Sequence, residues 1–301
     1  MGQLYDLTRS VEFVLPTKKV SADYQRDAKK ALKGRWGVAI LAMLIAALFG
    51  VSGSMTAWTS GGSTSSTDTE IEETTEVVEE EVDITVDEFI VGASFVAVAV
   101  LAALFVSALI TGPVQVGYER FNLNLFTGKQ AKVKTLFSYF KAGRWGKSAR
   151  LYLRYMLVLF FYMLPAFIGT IMMICGAYVI ELSEGVESNL LVGGVGLAVI
   201  GFVIAIISEI RYFVALYKYS MAFKVFAENP SLSPRKAMKK SKELMKGNKW
   251  AFFCLHCSYI GWSLLASLTC GIAFIWLVPQ IRASEAAFYR NISLRRKLGL
   301  N

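Results

Sequence analysis

Cys254-Leu255-His256-Cys257 is the stretch whose residue types most invite chemistry. A C-x-x-C motif enclosing the chain's single histidine has the ingredients of a redox couple or of half a zinc site. On a helix, however, Cys254 and Cys257 share one face and His256 points elsewhere. No second Cys/His pair is present to complete a tetrahedral site. The stretch also lies in an apolar run, so the expectation is two small buried thiols and one interfacial histidine. Cys175 and Cys270 fall toward the outer ends of their apolar runs, and a disulfide between them stays open at this stage.

Ionisable residues inside apolar segments form the second group. Arg154, Arg282 and Glu285 all sit within or beside long apolar blocks, where such groups are functional candidates by default. Arg154 is close enough to the inner end of its segment to snorkel. Arg282 and Glu285 are spaced i, i+3 and can pair on a helix. With Pro279 and Gln280 they make the last apolar segment unusually polar, which fits either an intrahelical pair near the interface or the lining of a polar path. No P-loop, Rossmann glycine pattern, H-E-x-x-H or G-x-S-x-G occurs, and one histidine leaves little room for a Ser-His-Asp arrangement. No catalytic, cofactor-binding or metal-ligating residue is therefore assigned.

The elements that must position these groups are apolar helices. The chain has 301 residues, 54% of them hydrophobic, above the share usual for a soluble domain. The apolar residues are gathered in blocks long enough to cross a bilayer. Six spans are expected, at about 37–57, 89–111, 153–178, 190–208, 250–268 and 272–289. Each holds about 20 residues, which at ~1.5 Å rise matches a ~30 Å hydrocarbon core. Gly112-Pro113 is expected to stop the second span, and Pro165 to kink the third. The nearly unbroken apolar run from Trp250 to Val278 is divided at Thr269-Cys270-Gly271, being long for one untilted span. Residues 1–35 are polar and charged, so no secretory signal is expected, and Asp6 stands where a myristoylation motif wants Ser or Thr.

Charge fixes the expected orientation. No Lys or Arg lies between Arg35 and Arg120, while acids from Asp68 to Glu88 crowd that gap. Glu181, Glu184 and Glu187 fill the second outer loop. The bases fall in the N-terminal segment, in 112–150, in 209–249 and in the tail, apart from Arg154. Positive residues stay in the cytoplasm, so both termini face inward and the span number is even. The acidic loop 59–88 reads as a solvated, disordered connector, and its carboxylates lack the spacing of a calcium loop.

One pattern recurs. SKELMKGNKW (241–250), AKKALKGRW (28–36) and FKAGRW (140–145) each write basic segment, glycine, tryptophan, apolar run. Ser233 can cap the helix of the first copy, with Pro234 at its first position. Ala237, Met238, Ser241, Leu244 and Met245 would form one apolar face, which is expected to lie on the membrane. Gly247 would end the helix and Trp250 would sit at headgroup depth. Lys33, Arg35, Trp36, Arg144, Trp145, Lys239, Lys240, Lys246 and Trp250 are the expected lipid-interface residues, attractive to anionic lipid and not to nucleic acid. The fold class expected is all-α: a polytopic membrane protein of three helical hairpins, each led by a basic interfacial segment.

The C-terminal third carries a resemblance. Ser241, Leu244-Met245-Lys246-Gly247-Asn248-Lys249, Ser258-Tyr259-Ile260-Gly261-Trp262, Gly271, Trp276, Pro279 and Phe288-Tyr289 resemble the motifs of bacterial integral membrane proteins of domain-of-unknown-function family 975. AKKALKGRWGVAI resembles that family's opening. Gln280, where Tyr is more usual, and the long acidic loop depart from it. The resemblance implies a multi-helix membrane protein of bacteria with no established activity and transfers no catalytic residue; the location expected for the chain is the bacterial plasma membrane. The leading expectation is a non-enzymatic scaffold or accessory subunit that binds anionic phospholipid and membrane or cytoplasmic protein partners, without a cofactor. The alternative is a small-solute transporter or permease subunit.

Overall fold

Three glycines set the local geometry of the repeated pattern. In the computed structural model, which describes residues 19–51, 86–141, 143–182, 188–269 and 271–299, Gly34, Gly143 and Gly247 all adopt the left-handed region, at φ 76°, 82° and 83°. A side chain is strained there, and glycine is not. Each glycine turns the chain into a helix that begins within two residues. The described residues form α1 (Ser21–Leu32), α2 (Trp36–Leu48), α3 (Val86–Phe126), a 3-10 turn (Val133–Tyr139), α4 (Trp145–Leu182), α5 (Ser188–Tyr219), α6 (Ala222–Glu228), α7 (Pro234–Leu244), α8 (Lys249–Leu268) and α9 (Phe274–Lys297). The expectation of an all-helical protein holds for these residues.

α4 and α5 pack as a long hairpin, backbone against backbone. A Cβ on Gly176 would come within 2.5 Å of the Ala198 nitrogen, and one on Gly169 within 2.7 Å of the Gly201 carbonyl oxygen. Small residues permit this approach, as in tightly crossed membrane helices. The outer faces are apolar and open: Phe161 is 67% exposed, Ile171 61% and Ile210 59%. An apolar surface this continuous requires a non-aqueous surrounding or a partner. Trp145–Leu182, Leu191–Glu228 and Lys249–Leu268 are long and apolar enough to cross a membrane. The pair α1 and α2, bent by 102° at Gly34, makes a fourth candidate if counted together.

At about 57 Å, the 38 residues of α4 exceed a bilayer's core. One face of the first turns of α4 is covered by protein. Ser148, Ala149, Leu151 and Tyr155 are buried in a bundle with the C-terminal half of α3, α6, α7, α8 and α9. This bundle is the core of the molecule. Tyr155 and Phe223 meet edge-on at 5.1 Å, Phe252 and Phe288 pack at 5.0 Å, and Tyr24 of α1 meets Phe288 at 5.3 Å.

Several expectations are corrected. α3 does not stop at Gly112-Pro113 but continues to Phe126. Proline lacks the N–H that would serve the carbonyl of Leu109. The indole nitrogen of Trp145 donates to that carbonyl instead, at 2.8 Å. Gly112 makes room for α4, since a Cβ there would lie 2.9 Å from the Ala149 Cα. The helix of the first expected span ends at Leu48, where Gly50 turns at φ 68° and Thr111 donates to the Phe49 carbonyl at 3.0 Å. Residues 52–57 lie outside the described residues, as does the acidic loop through Thr85. The lead-in before Trp145 is a 3-10 turn, not an amphipathic α-helix.

α7 forms as expected, with the Ser233 hydroxyl accepting from the Lys236 N–H and Pro234 opening the helix. Its apolar face is not laid on the membrane, however. Ala237, Met238, Ser241 and Leu244 are buried in the protein core, and Ser241 donates to the Lys218 carbonyl at 3.1 Å. The same holds for α1, whose Tyr24, Ala28 and Leu32 are buried.

Candidate functional site: a buried ion cluster

Four charged side chains converge where α3, α6 and α9 meet. Lys224 stands in the middle of α6, a seven-residue helix whose other residues from Ala222 to Ala227 are apolar and buried. Its ammonium lies 3.0 Å from Glu119 of α3 and 2.9 Å from Glu285 of α9. Arg282, one turn before Glu285, approaches the same carboxylate at 3.2 Å. His256 of α8 reaches its other oxygen at 3.2 Å through Nε2, while Nδ1 lies 2.9 Å from the Phe252 carbonyl. None of Glu119, Lys224, Arg282 and Glu285 is more than 4% exposed.

Two cations face two carboxylates, so the enclosed charge cancels. Burial of charge is tolerable only under such pairing. The arrangement also fixes register, because each helix must present its charge at one height. Around it, Tyr259 and Ser284 share a 2.6 Å hydrogen bond, and Ser284 donates to the Tyr24 carbonyl at 3.4 Å. Gln25 donates to the Ser258 hydroxyl at 2.8 Å. α1 is thereby tied to the helices that carry the cluster.

A polar cleft of about 180 Å³ opens between the same helices about a turn from the cluster, lined by Arg120, Leu123, Asn124, Thr127, Lys129, Glu228 and Arg290. Glu228 is engaged by the Tyr289 hydroxyl at 2.5 Å and by Arg290 at 3.5 Å. Tyr139 donates to the Ala227 carbonyl at 2.9 Å, and Arg120 donates to the same oxygen. Burial raises the Tyr139 phenol above its ordinary value, with nearby Arg120 and Arg144 opposing.

The candidates read from sequence divide into those gathered here and those left at the surface. Arg282 and Glu285 do pair, and they do so buried against protein, in a network of five groups. His256 is not simply interfacial, since it contacts Glu285. Cys254 and Cys257 are half-buried free thiols rather than fully buried ones, and Cys175 is an exposed free thiol. Cys270 lies outside the described residues, so the disulfide reading does too. Arg154 is half-buried. Lys33, Arg144, Trp145, Lys239, Lys240, Lys246 and Trp250 are exposed, whereas Arg35 and Trp36 are half-buried. Arg35 donates to the Lys129 carbonyl at 3.3 Å. Lys224 and Glu119 were not singled out from sequence. A lone lysine inside AFKVFA was the available signal for the first, and Glu119 in GYERF carried none. Among the described residues no group of three or more His, Cys, Asp or Glu side chains is placed to hold a metal ion.

Fold and site together define a class: a protein whose described residues are all helical, with three, or counting the bent pair four, segments among them able to cross a membrane, joined to a bundle closed by a charge-neutral buried cluster. The chain belongs to the family described as "Protein of unknown function (DUF975)", which it matches over residues 19–296. No curated protein and no solved structure matches it.

Proposed function

We propose that this protein is a non-enzymatic component of a bacterial plasma membrane. It crosses the bilayer six times with both termini cytoplasmic, and serves as a scaffold or accessory subunit that grips anionic phospholipid and protein partners. The observation that carries this reading is the shared geometry of the three glycine–tryptophan junctions. At each, a left-handed glycine leads into an apolar helix, and bases stay outside: Lys33, Arg144, Lys239, Lys240 and Lys246 are exposed. Because the apolar face of α7 is taken by protein, its outward side is mainly basic, with Arg235, Lys236, Lys239, Lys240 and Lys242 exposed beside Glu243, and the bases can meet phosphate groups and acidic partners. Each such base near an anionic surface contributes about 1 kcal/mol.

The test is lipid selection. Protein purified from mixed phosphatidylglycerol and phosphatidylcholine membranes should retain phosphatidylglycerol above its bulk share. The triple substitution Lys239→Gln, Lys240→Gln and Lys246→Gln should abolish the excess, and retention at bulk ratio by the native chain would refute the reading. Crosslinking in native membranes would then identify the partner. The alternative, solute transport, draws on the polar residues of α9. Arg282 is committed to Glu285, and Glu285 to both Arg282 and Lys224, which supports a packing role for them instead. Solute flux through proteoliposomes that disappears in Glu285→Gln while the fold persists would reverse that preference.

A further inference from the structure

A second cavity lies where the hairpin meets α8. It measures about 450 Å³ and is lined by Ile210, Phe213, Val214 and Tyr217 of α5 and by Lys249, Trp250 and Phe253 of α8. The four α5 residues fall at i, i+3, i+4 and i+7, one face of the helix. The volume is in the range of pockets that hold organic ligands. Its walls are fixed by ring packing: Trp250 lies against Phe253 at 5.2 Å, and Tyr217 meets Phe253 at 6.1 Å and Phe252 at 5.8 Å, both edge-on. The cleft is therefore preformed, and it continues the open apolar face of α5, where Ile207 is 52% exposed and Ile210 59%.

Charge distinguishes its two ends. Lys249 is the one side chain of the lining that carries a charge at neutral pH, among apolar and aromatic neighbours. It is the first residue of α8, and the preceding Asn248 does not cap that helix. The Asn248 amide turns back to donate to the Leu244 carbonyl at 3.0 Å. The opening N–H groups of α8 thus keep their positive end beside the ammonium of Lys249. Trp250, 72% exposed, marks the headgroup level.

We propose that this cleft holds one anionic phospholipid, its acyl chain laid along Ile210, Phe213 and Val214 and its phosphate at Lys249 and the start of α8. The proposal rests on the membrane placement given above and adds a stoichiometric site to it. A free phosphate would leave the aromatic wall unused, and a zwitterionic lipid would gain less from Lys249, so both charge and chain are required.

The experiment uses the full chain in phosphatidylcholine nanodiscs, with a minor fraction of either brominated phosphatidylglycerol or brominated phosphatidylcholine. The Trp250 signal is the difference between the native chain and Trp250→Phe. Quenching of Trp250 should be about fivefold stronger with the brominated anionic lipid, the ratio one basic group near a membrane surface supports. Lys249→Gln should remove the preference, and Val214→Phe, which fills the cleft, should reduce quenching by the anionic lipid. Equal quenching by the two lipids, or a preference that survives Lys249→Gln, overturns the site while leaving the membrane reading intact. Nanodiscs made wholly of brominated phosphatidylcholine supply the separate check. Trp262 and Trp276, both more than half exposed, should then be quenched, and no quenching at all would overturn the membrane reading and the site together.

Discussion

Replacing Glu285 with glutamine keeps the shape of the side chain and removes one of two negative charges from the enclosed cluster. Lys224 at 2.9 Å and Arg282 at 3.2 Å then share Glu119 alone, 3.0 Å from Lys224. The gross attraction of a pair at that distance is about 6 kcal/mol at an effective dielectric of about 20, most of it offset by desolvation. What the substitution exposes is that desolvation, now without its partner. All four groups are at most 4% exposed, so solvent screens little of it. Breaking a buried pair from one side costs about 3–5 kcal/mol. The expected loss for Glu285→Gln is of that size, read from unfolding by sodium dodecyl sulfate in mixed micelles and followed by tryptophan emission. The double variant Glu285→Gln, Lys224→Met restores one cation to one anion. It should be more stable than the sum of the two single changes by about 1–3 kcal/mol. A loss below about 1 kcal/mol for Glu285→Gln, or strict additivity in the cycle, would refute the cluster as the element that holds α3, α6 and α9 together.

The other predictions follow from single contacts. Trp145→Phe leaves the Leu109 carbonyl without its donor beside Pro113 and should cost about 1–3 kcal/mol by the same titration; an unchanged midpoint would show that the indole bond is dispensable. Gly117→Ala places a Cβ 1.9 Å from the Leu136 carbonyl oxygen and should cost about 3 kcal/mol or more, whereas Gly37→Ala, at the second residue of α2 with nothing within 4 Å, should be neutral or gain up to about 0.5 kcal/mol. Burial raises the Tyr139 phenol, so its contribution is whole below the unfolded value of about 10 and fades as pH climbs through the folded value. Tyr139→Phe should therefore lose less stability than the native chain between neutral pH and the alkaline range, and parallel alkaline limbs would contradict this.

The sequence was most legible where one residue type has one use. Gly34, Gly143 and Gly247, each followed by tryptophan, announced turns into helices, and all three take positive φ. Ser233 and Pro234 announced the start of α7, and its buried face was read correctly from spacing. What covers that face was not legible, because protein and lipid demand the same apolar residues. Gly112-Pro113 misled for a related reason. A proline breaks a helix unless something else serves the orphaned carbonyl, and the donor, Trp145, lies 36 residues away in sequence. The buried cluster was half visible. Arg282 and Glu285 are local partners on one helix, but Lys224 and Glu119 reach them only through the fold.

The claim on which the account turns is that the glycine–tryptophan junctions and the hairpin tip lie on opposite sides of a membrane, the junctions within. Two single-cysteine chains in a background without the native cysteines, Lys246→Cys and Glu181→Cys, test it directly with a maleimide that does not cross the bilayer. In intact cells Glu181→Cys should label, and Lys246→Cys should label only after the membrane is opened. Labelling of Lys246→Cys in intact cells with Glu181→Cys protected would invert the orientation, and equal labelling of both would contradict a crossing by α4 and α5.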